Sequence, residues 1–337
     1  MPTSMKALVL EQFGADFAMR EIARPVPSAG EVRIKIAASG VNPLDTKIRV
    51  GAAGHANVRL PAVLGIDLAG TIDQVGDGVS GFAVGDEVYG MTGGVGPHQG
   101  SLAEYAAVDA NLIARIPSTL SMIQAAALPL AVITAWESLV DRANVHENQT
   151  VLVHGGAGGV GHVAIQVARA RGATVFATGR PEQADTIRNL GAEPIDFTTT
   201  RTDEYVQALT GGEGFDVVLD TVGGMVLDAA FTAVRRHTGH VVSILGWGTH
   251  SLAPLSFRGA TYSGVFTLLP LLTGTGRAHH GEILASATAM VEAGQLTPLV
   301  APVTYTWESV MQAHKAVEVG NTGGKVVVNI APAKGNA

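Results

Sequence analysis

From about residue 150 onward, short apolar runs alternate with amphipathic stretches. Val- and Ile-rich runs predict strands at residues 150–154, 174–178, 215–220 and 240–245. Between these runs, the spacing of apolar positions predicts helices at residues 160–171, 182–190 and 225–236. Strands that are apolar on both faces and separated by helices indicate a parallel sheet covered on both sides. We therefore predict a doubly wound α/β domain in the middle of the chain.

The regions on either side have a different pattern. Alternating or β-branched runs bounded by Gly, Pro or Asp predict strands at residues 6–10, 31–38, 68–75, 86–89 and 102–108, without a long helix. Residues 124–143 have helical periodicity interrupted by Pro129. Toward the end we predict a strand at 265–269, helices near 281–293 and 307–319, and a last strand at 325–330. We expect part of this last segment to return to the β-rich first region.

Length and composition indicate two domains and exclude several classes of protein. The chain has 337 residues, of which 47% are hydrophobic, and this exceeds the usual size of a single core. Apolar runs end well before the roughly 20 residues that a membrane span needs. The first residues resemble neither a secretory signal nor a transit peptide, so a cytoplasmic location is expected.

Charge and cysteine content narrow the possible chemistry. The chain contains no cysteine, which excludes disulfides, thiolate nucleophiles and Cys-ligated zinc. The net charge is −7 and Lys and Arg do not cluster, so nucleic acid is not expected as a partner.

A glycine-rich loop follows the strand predicted at residues 150–154. Within the run GGAGGVG, the motif G-x-G-x-x-G falls on Gly156, Gly158 and Gly161, with Gly159 and Val160 inside it. The loop follows a strand and opens a helix, which is the context in which this motif binds a dinucleotide pyrophosphate. The alternative is a tight strand–helix turn that binds nothing.

The end of the next predicted strand carries Thr178, Gly179 and Arg180. An NAD enzyme places an acidic residue there for the ribose hydroxyls, whereas an Arg accommodates the 2′-phosphate of NADP. Because Arg180 is a permanent cation and Gly179 leaves space beside it, the sequence predicts NADPH as cofactor. The alternative is an exposed arginine without a special role.

Several blocks occur together, in order, along nearly the whole chain. They are SGVNPLD at residues 39–45, GIDLAG at 65–70, VGDEV at 84–88, AAALPLAVITAW at 125–136, the GGAGGVG loop and DTVGG at 220–224. Together they resemble the medium-chain dehydrogenase/reductase superfamily, and within it the zinc-independent quinone oxidoreductase (zeta-crystallin-like) branch. The resemblance implies an α/β protein with a GroES-like β-rich catalytic domain at residues 1–124 and 266–337, a Rossmann NADPH-binding domain at 125–265, and a homodimer.

The positions that hold catalytic zinc in the alcohol dehydrogenases of this superfamily correspond here to Asn42, Ile66 and Leu130. Two of these three side chains are aliphatic, whereas a catalytic zinc needs three protein ligands. No metal site is expected.

The resemblance also implies which residues lie near the reacting atoms. Asn42, with Asp45 close by, is the candidate catalytic side chain and is expected beside the nicotinamide. Thr134 is expected to face the nicotinamide, and Leu245, Gly246 and Phe266 to contact the cofactor. The alternative, given equal weight for Asn42, is that Asn42 is simply a turn residue before Pro43. For Thr134 the alternative is an ordinary helix residue.

The predicted activity is transfer of a hydride from NADPH to a quinone or an α,β-unsaturated carbonyl. Enoyl-thioester reductases of the superfamily rely on a Tyr shortly after the block that reads IRVG at residues 48–51 in this chain. No Tyr follows that block closely here. Enoyl-thioester reduction is therefore the second hypothesis, and a non-catalytic, crystallin-like NADPH-binding protein is the third. The proton can come from water or from His55 or His98, although a loop histidine is usually only solvated.

Overall fold

The computed structural model describes residues 3–320 and 322–330 and divides into two compact units. The first unit comprises Met1–Leu130 and Leu268–Ala337, and the second comprises Ala131–Thr267. The tail at 331–337, which belongs to the segment assigned above to the GroES-like domain, lies outside the described residues.

The first unit begins as a strand-rich fold with two short helices. In chain order its elements are β1 (Ser4–Leu10), β2 (Ala18–Ala23), β3 (Glu31–Val41), α1 (Pro43–Arg49), β4 (Ala62–Val63), β5 (Asp67–Val75), β6 (Glu87–Met91), β7 (Tyr105–Asp109), β8 (Ile113–Arg115) and α2 (Met122–Ala126). Single 3₁₀ turns occur at Gly54–Ala56 and Ala110–Leu112.

The second unit has the regular alternation that the sequence predicts. Helix α3 (Pro129–Trp136) leads into it and continues as a π-helical segment at Glu137–Arg142. Then follow β9 (Thr150–His154), α4 (Gly161–Ala170), β10 (Thr174–Gly179), α5 (Ala184–Leu190), β11 (Glu193–Asp196), α6 (Thr202–Thr210), β12 (Val217–Asp220), α7 (Met225–Ala233), β13 (His240–Ser243), α8 (Ala253–Arg258) and β14 (Thr261–Gly264). A 3₁₀ turn at Pro181–Gln183 precedes α5.

The end of the chain returns to the first unit. It forms α9 (Leu269–Thr273), α10 (Arg277–Glu292), β15 (Tyr305–Thr306), a 3₁₀ turn at Trp307–Ser309, α11 (Val310–Val319) and β16 (Val326–Asn329). Strand β16 pairs antiparallel with β3, so one sheet of the first unit runs β15-β16-β3-β5-β6-β8, and β7 also pairs with β3. A second sheet has the order β2-β1-β4.

The second unit is built on one six-stranded sheet, with all strands parallel, in the order β11-β10-β9-β12-β13-β14. Chain connections leave β9 toward β10 and β11 on one side and return to β12 on the other. This is the doubly wound Rossmann order, whose switch point lies between β9 and β12. The core on one face packs Leu152, Phe176, Phe215 and Phe231, all at most 9% exposed.

One expected strand is wrong. Residues 265–269 do not form a strand, and the sheet ends instead at β14, whose residues Thr261–Gly264 pair with β13. Strand β14 lies at the edge of the sheet and is mostly exposed, so its sequence TYSG lacks the apolar run that marks the buried strands. For the same reason β11, the short and half-polar strand at the other edge, was not predicted. The helix α6 was also not predicted.

Pro129 does not kink a single helix. It occupies the first turn of α3, where a proline has no hydrogen bond to lose, and α2 ends before it. Across residues 3–320 and 322–330, no helix is long and apolar enough to cross a membrane.

Candidate cofactor and acceptor sites

The glycine loop between β9 and α4 brings a helix close to a strand end. A Cβ on Gly161 would lie 2.1 Å from the carbonyl oxygen of Gly155, and one on Gly156 would lie 2.6 Å from the Cβ of Ala177. Gly155 itself adopts φ +75°. These glycines are therefore required by the close packing of α4 on β9 and β10.

Gly158 differs from its neighbours in the loop. The nearest atom to a Cβ built on it is the oxygen of Gly155 at 3.1 Å, and no other heavy atom lies within 4 Å. Gly158 and Gly159 are exposed, and Val160 is half-buried at the start of α4. The loop thus offers open backbone in front of a ten-residue helix, which suits a pyrophosphate group.

A cavity of about 630 Å³ lies at the carboxyl ends of the strands of the second unit. Its walls come from the ends of β9 and β10, the loop after β11, the start of α6 and the start of α7. The lining includes His154, Thr178, Phe197, Arg201 and Val222. Ligands of doubly wound sheets bind at this edge, near the switch point, and the cavity is large enough for a nucleoside.

His154, which the sequence interpretation missed, closes one wall of this cavity. It is 3% exposed, its Nδ1 lies 3.4 Å from Thr178 Oγ1, and its Nε2 has no partner among the described residues. Burial lowers the pKa of His154 to about 4, although Asp220 acts in the opposite direction. The imidazole is therefore neutral at physiological pH. A His at the end of an apolar strand was the available signal.

The residues after β10 have distinct environments. Gly179 is buried, and a Cβ there would lie 2.5 Å from Ile187 Cδ1, so packing against α5 already fills the space that was expected beside Arg180. Arg180 is exposed and forms no ion pair within the described part of the chain. Its backbone N–H donates to Gln183.

The carboxylate nearest in register to the end of β10 is already engaged. Asp196 pairs with Gly179 across the sheet, but its oxygens accept hydrogen bonds from the backbone and hydroxyl of Thr198 and from the hydroxyl of Thr199. These bonds lower the pKa of Asp196.

Thr134 belongs to a chain of hydroxyls in the second unit. Its Oγ1 lies 3.1 Å from Thr267 Oγ1, and Thr267 donates to Glu137 Oε2 at 2.9 Å. Glu137 begins the π-helical segment, a feature frequent at functional sites. Phe266 precedes Thr267 and is 36% exposed.

Leu245 and Gly246 follow β13 on the same edge of the sheet as the glycine loop. The Leu245 N–H donates to Ser243 Oγ, and Gly246 is exposed. A Cβ on Gly246 would lie 2.3 Å from the Tyr262 hydroxyl oxygen. The glycine loop, Thr178 with Gly179 and Arg180, and Leu245 with Gly246 thus lie at the ends of three parallel strands, whereas Thr134 lies on α3 and Phe266 follows β14.

In the first unit, sheet register brings Asn42 into a buried polar cluster. Asn42 follows β3, Gly40 pairs with Asp67 of β5, and Val41 pairs with Val326, the residue after Lys325. Asn42 Nδ2 donates to Asp67 Oδ2 at 3.0 Å, and Lys325 Nζ donates to Asn42 Oδ1. Asp67 Oδ1 accepts from the backbone N–H of Leu130 at 2.9 Å.

Asn42 also begins α1, but its side chain does not cap that helix. Its backbone N–H donates to Asp45 Oδ2 at 2.8 Å, with Pro43 in the first turn. The turn is therefore maintained by Asp45 and Pro43, and the Asn42 carboxamide is left to bind Asp67 and Lys325.

Burial dominates the ionisation of this cluster. It raises the pKa of Asp45 to about 7 and that of Asp67 to about 6, and it lowers the pKa of Lys325. The Lys325 cation opposes the rise in the pKa of both carboxyls. Asp45 Oδ1 has no hydrogen-bond partner among the described residues. Two carboxyls and one ammonium thus share a site with almost no access to water.

The sequence interpretation identified Asn42 and Asp45 but missed Asp67 and Lys325. Charged residues embedded in the apolar blocks GIDLAG and GGKVVV were the available signal. Ile66 is fully buried, and no group of three or more His, Cys, Asp or Glu side chains that could hold a metal occurs within residues 3–320 and 322–330.

The two loop histidines considered as proton donors lie in different surroundings. His98 Nε2 lies 3.1 Å from the carbonyl oxygen of Leu271 and 2.9 Å from Arg277 Nη2. Burial and the Arg277 cation lower the pKa of His98. His55 is exposed in the 3₁₀ turn after α1.

Two family models match the chain, one in its N-terminal part and one in its C-terminal part. Residues 28–118 match the alcohol dehydrogenase GroES-like domain, and residues 190–328 match a family described as zinc-binding dehydrogenase. The chain belongs to the medium-chain dehydrogenase/reductase superfamily. Its relatives place it in the zinc-independent branch of this superfamily, whose members are oxidoreductases that use a nicotinamide cofactor.

Three curated relatives of this dehydrogenase/reductase are reductases. The 2-methylene-furan-3-one reductase of Solanum lycopersicum is 34% identical over 98% of this chain and 81% of its own length. The chloroplastic NADPH-dependent alkenal/one oxidoreductase of Arabidopsis thaliana is 34% identical over 97% of this chain and 80% of its own. The quinone oxidoreductase of Sus scrofa is 30% identical over 93% and 94%.

Solved structures of the superfamily share the whole fold. An alcohol dehydrogenase superfamily protein from Novosphingobium aromaticivorans is 54% identical, with a TM-score of 0.95 over 97% of this chain and all of its own. The CurK enoyl reductase is 27% identical, with a TM-score of 0.84 over 98% of this chain and all of its own.

Proposed function

We propose that this dehydrogenase/reductase transfers a hydride from NADPH to a quinone or an α,β-unsaturated carbonyl without zinc. The observation that carries the proposal is the buried cluster at Asn42. There an amide, an ammonium and two carboxyls lie together, and by the resemblance Asn42 stands at one of the three positions that hold zinc in zinc-dependent members. The names of the tomato, Arabidopsis and pig relatives support this class of acceptor.

The chemistry needs little from the protein beyond position and polarity. A bound reduced nicotinamide supplies a hydride, and the acceptor takes up that hydride and one proton from water. The Asn42 carboxamide donates a hydrogen bond to the acceptor oxygen, which gains negative charge as the hydride arrives. Thr134 and the glycine loop orient the cofactor, which lowers the entropic cost of hydride transfer.

NADPH is the proposed cofactor because of the residues after β10. Arg180 is exposed and has no ion pair within the described residues, and the Asp196 carboxylate is engaged by Thr198 and Thr199. A guanidinium without a competing carboxylate favours a phosphate over a free ribose hydroxyl. The Arabidopsis relative is named as NADPH-dependent.

A homodimer and a cytoplasmic location complete the proposal. Strand β14 ends the six-stranded sheet, so its outer N–H and C=O groups are available for pairing with a second copy. Phe257, on the preceding helix α8, is 85% exposed. Light scattering after size-exclusion chromatography should give twice the mass of one chain. Cell fractionation should place the protein in the cytoplasm, where NADPH is regenerated.

The decisive experiment follows the loss of NADPH absorbance with three classes of acceptor: simple quinones, enones and enoyl-thioesters. NADH serves as the matched control for the cofactor, and saturated ketones serve as the control for the acceptor. We expect turnover with quinones or enones, full activity after chelation, and no stoichiometric zinc by elemental analysis.

Each contrary result excludes a defined part of the proposal. Turnover confined to enoyl-thioesters would make the chain an enoyl reductase like the CurK structure. Tight NADPH binding without turnover of any acceptor would leave a cofactor-binding protein. One zinc per chain, lost together with activity on chelation, would refute the metal-free mechanism.

A further inference from the structure

The loop between β13 and α8, residues 244–252, is fastened to helix α7 by a histidine. His250 Nδ1 lies 2.8 Å from Asp228 Oδ1 on α7, and His250 Nε2 lies 3.1 Å from the carbonyl oxygen of Trp247. The imidazole also packs edge-on against Phe231 of α7, with the ring centroids 6.4 Å apart. The side chain of His250 is 12% exposed. One ring thus closes a turn within the loop and joins that turn to the neighbouring helix.

Both ring nitrogens of His250 face hydrogen-bond acceptors. A carboxylate and a backbone carbonyl only accept hydrogen bonds, and a neutral imidazole has a single N–H to donate. The neutral ring therefore leaves one nitrogen lone pair facing an oxygen lone pair, whereas the imidazolium donates to both oxygens. The geometry fits the charged form of His250.

The charges around His250 favour the same form. Asp228 on α7 and Asp220 at the end of β12 both act on it, and both are acidic. The hydrogen bonds with Asp228 and with the Trp247 carbonyl raise the pKa of His250, and burial acts in the opposite direction. Tyr262 of β14, which packs against the same aromatic ring of α7, has a raised pKa and stays neutral. The imidazolium is therefore present below the raised pKa of His250 and is lost as pH rises through it.

Loss of the proton breaks one bond and keeps the other. The carboxylate of Asp228 holds the Nδ1 proton more strongly than a neutral carbonyl holds the Nε2 proton, because a charge-assisted hydrogen bond is the stronger one. The Nε2 proton is therefore the one that leaves, and the turn closed by the Trp247 carbonyl opens.

The loop and the helix that His250 joins lie at the carboxyl ends of the parallel strands. Helix α7 lines the cavity of about 630 Å³ with Val226 and Ala229, which stand two residues before and one residue after Asp228. The loop carries Leu245 and Gly246, the cofactor candidates that follow β13. Ligands of doubly wound sheets bind at this edge. The position of the loop relative to α7 therefore bears on cofactor binding.

We propose that His250, in its protonated form, is a positioning residue for cofactor binding. The imidazolium holds the loop 244–252 against α7 in the arrangement that receives a nicotinamide dinucleotide, and loss of the Nε2 proton loosens the loop and weakens binding. The inference rests on the proposed function, since it requires a dinucleotide at the carboxyl ends of the strands. The protein then binds its cofactor more tightly at acidic than at alkaline pH.

The first measurement uses the apo protein. Selective ¹³C labelling of histidine gives one ring signal for each histidine in NMR spectra, and His250→Gln assigns the signal of His250. We expect this signal to titrate with a midpoint above the ordinary value of about 6.5, and Asp228→Asn to lower the midpoint. A wild-type midpoint at or below about 6.5 would overturn the inference, whatever the protein binds.

The second measurement follows the Kd of NADPH and of NADH between pH 6 and pH 9. NADH is included because the 2′-phosphate of NADPH itself titrates at about pH 6. We expect both wild-type Kd values to rise with pH, roughly 3- to 10-fold more than in His250→Gln, which corresponds to one hydrogen bond. His250→Gln should have the wild-type alkaline Kd throughout. His250→Arg, a permanent cation with several donors, should keep the wild-type acidic Kd up to pH 9.

A control variant and the contrary outcomes complete the design. His237→Asn removes an exposed histidine of the same unit and should follow the wild-type profile. A wild type that binds neither NADPH nor NADH refutes the proposed function and with it the positioning role, whereas the histidine titration still decides whether His250 is held as an imidazolium. A wild type that binds NADPH and NADH with the pH dependence of His250→Gln refutes the inference alone. If His250→Gln does not fold, Asp228→Asn decides: its affinity should fall at a lower pH than that of the wild type, and an unchanged pH profile overturns the positioning role.

Discussion

At the scale of single residues, the same side-chain type has different roles in different surroundings. Asn42 precedes a proline, as turn-forming asparagines often do, yet its carboxamide binds Asp67 and Lys325 while Asp45 maintains the turn. Arg180 is one of many surface arginines by sequence, but it stands unpaired, among the described residues, at the end of β10. Residue type alone does not distinguish a turn asparagine from a binding one, or one surface arginine from another. The distinction depends on partners that come from distant parts of the chain.

Replacement of Asn42 by Ala should reduce catalysis more than cofactor binding. The Asn42 backbone N–H keeps its bond to Asp45, so α1 should still start at Pro43. Loss of a hydrogen-bond donor to a developing oxyanion costs up to about 3 kcal/mol, so kcat should fall roughly 10- to 100-fold. Steady-state kinetics and NADPH titration check this. A variant with unchanged kcat would leave Asn42 only a structural role.

Replacement of Arg180 by Ala should narrow the preference for NADPH over NADH. A charge-assisted hydrogen bond contributes roughly 1.5–3 kcal/mol, so the NADPH Kd should rise by about one to two decades. The NADH Kd and the acceptor KM should hardly change. Arg188→Ala, which removes an exposed arginine that pairs with Asp185 on α5, is a matched control. A wild type that prefers NADH would contradict the assignment of NADPH as cofactor. An Arg180→Ala variant that prefers NADPH as strongly as the wild type would contradict the role of Arg180.

At the scale of elements, the β9–α4 unit shows how a motif combines packing with binding. Gly156 and Gly161 are needed because the helix lies against the strand, and a Cβ on either would meet atoms at 2.6 Å or less. Gly158 has almost no such contact. The motif therefore contains two packing glycines and one whose missing side chain leaves space for a ligand.

Two alanine variants should separate these roles. Gly161→Ala places a Cβ 2.1 Å from the oxygen of Gly155, so it should destabilise the second unit by about 1–3 kcal/mol or more. Gly158→Ala should keep the melting temperature within about 2 °C but weaken NADPH binding roughly tenfold or more, because the methyl group enters the pyrophosphate space. Calorimetry and NADPH titration distinguish the two. Equal loss of stability in both variants would contradict this division.

At the scale of the whole molecule, buried titratable groups differ between the two units. In the first unit, Asp45 and Asp67 have raised pKa values of about 7 and 6, whereas burial lowers the pKa of His314 to about 4 and also lowers that of His98. In the second unit, burial lowers the pKa of His154 to about 4.

The two kinds of group respond to pH with opposite sign. A histidine whose folded pKa lies below 6.5 binds a proton more readily when unfolded, so its unit loses stability as pH falls from 6.5 toward 4. A carboxyl with a raised folded pKa loses its contribution as pH rises from about 4 to 7. The two effects oppose each other in the first unit. In the second, His240 acts in the same direction as His154, whereas the half-buried His250, whose pKa is raised by its hydrogen bond with Asp228, opposes them.

The second unit should therefore lose more stability than the first when pH falls from 7 to 5. The lowered pKa of His154 alone should reduce the free energy of unfolding of the second unit by about 2 kcal/mol at pH 5. Amide hydrogen exchange, corrected for the intrinsic pH dependence, should show a larger drop in protection for β9 and β12 than for β3 and β5. His154→Gln should reduce that drop. Equal losses in both units, or a drop unchanged in the variant, would refute this account.

The sequence alone determined the elements with strong local signals. Buried parallel strands carry continuous Val and Ile runs, and the glycine motif has a fixed spacing, so the alternation of strands and helices and the position of the glycine loop follow from local pattern. The prediction that Asn42, Ile66 and Leu130 hold no zinc likewise rests on residue identity, at positions that the family resemblance supplies. The half-polar strands β11 and β14 could not be predicted, because their residues form neither a continuous apolar run nor a regular alternation of apolar and polar positions.

Only the tertiary structure decided what surrounds Asn42. Asp67 and Lys325 are separated from it by 25 and 283 residues, and no local pattern relates them. The pairing of β3 with β5 and β16 brings all three to one end of a sheet, and burial there gives each charge its altered pKa. A sequence specifies which groups are present, whereas their mutual distance and access to water, which determine their electrostatics, exist only once the strands are paired.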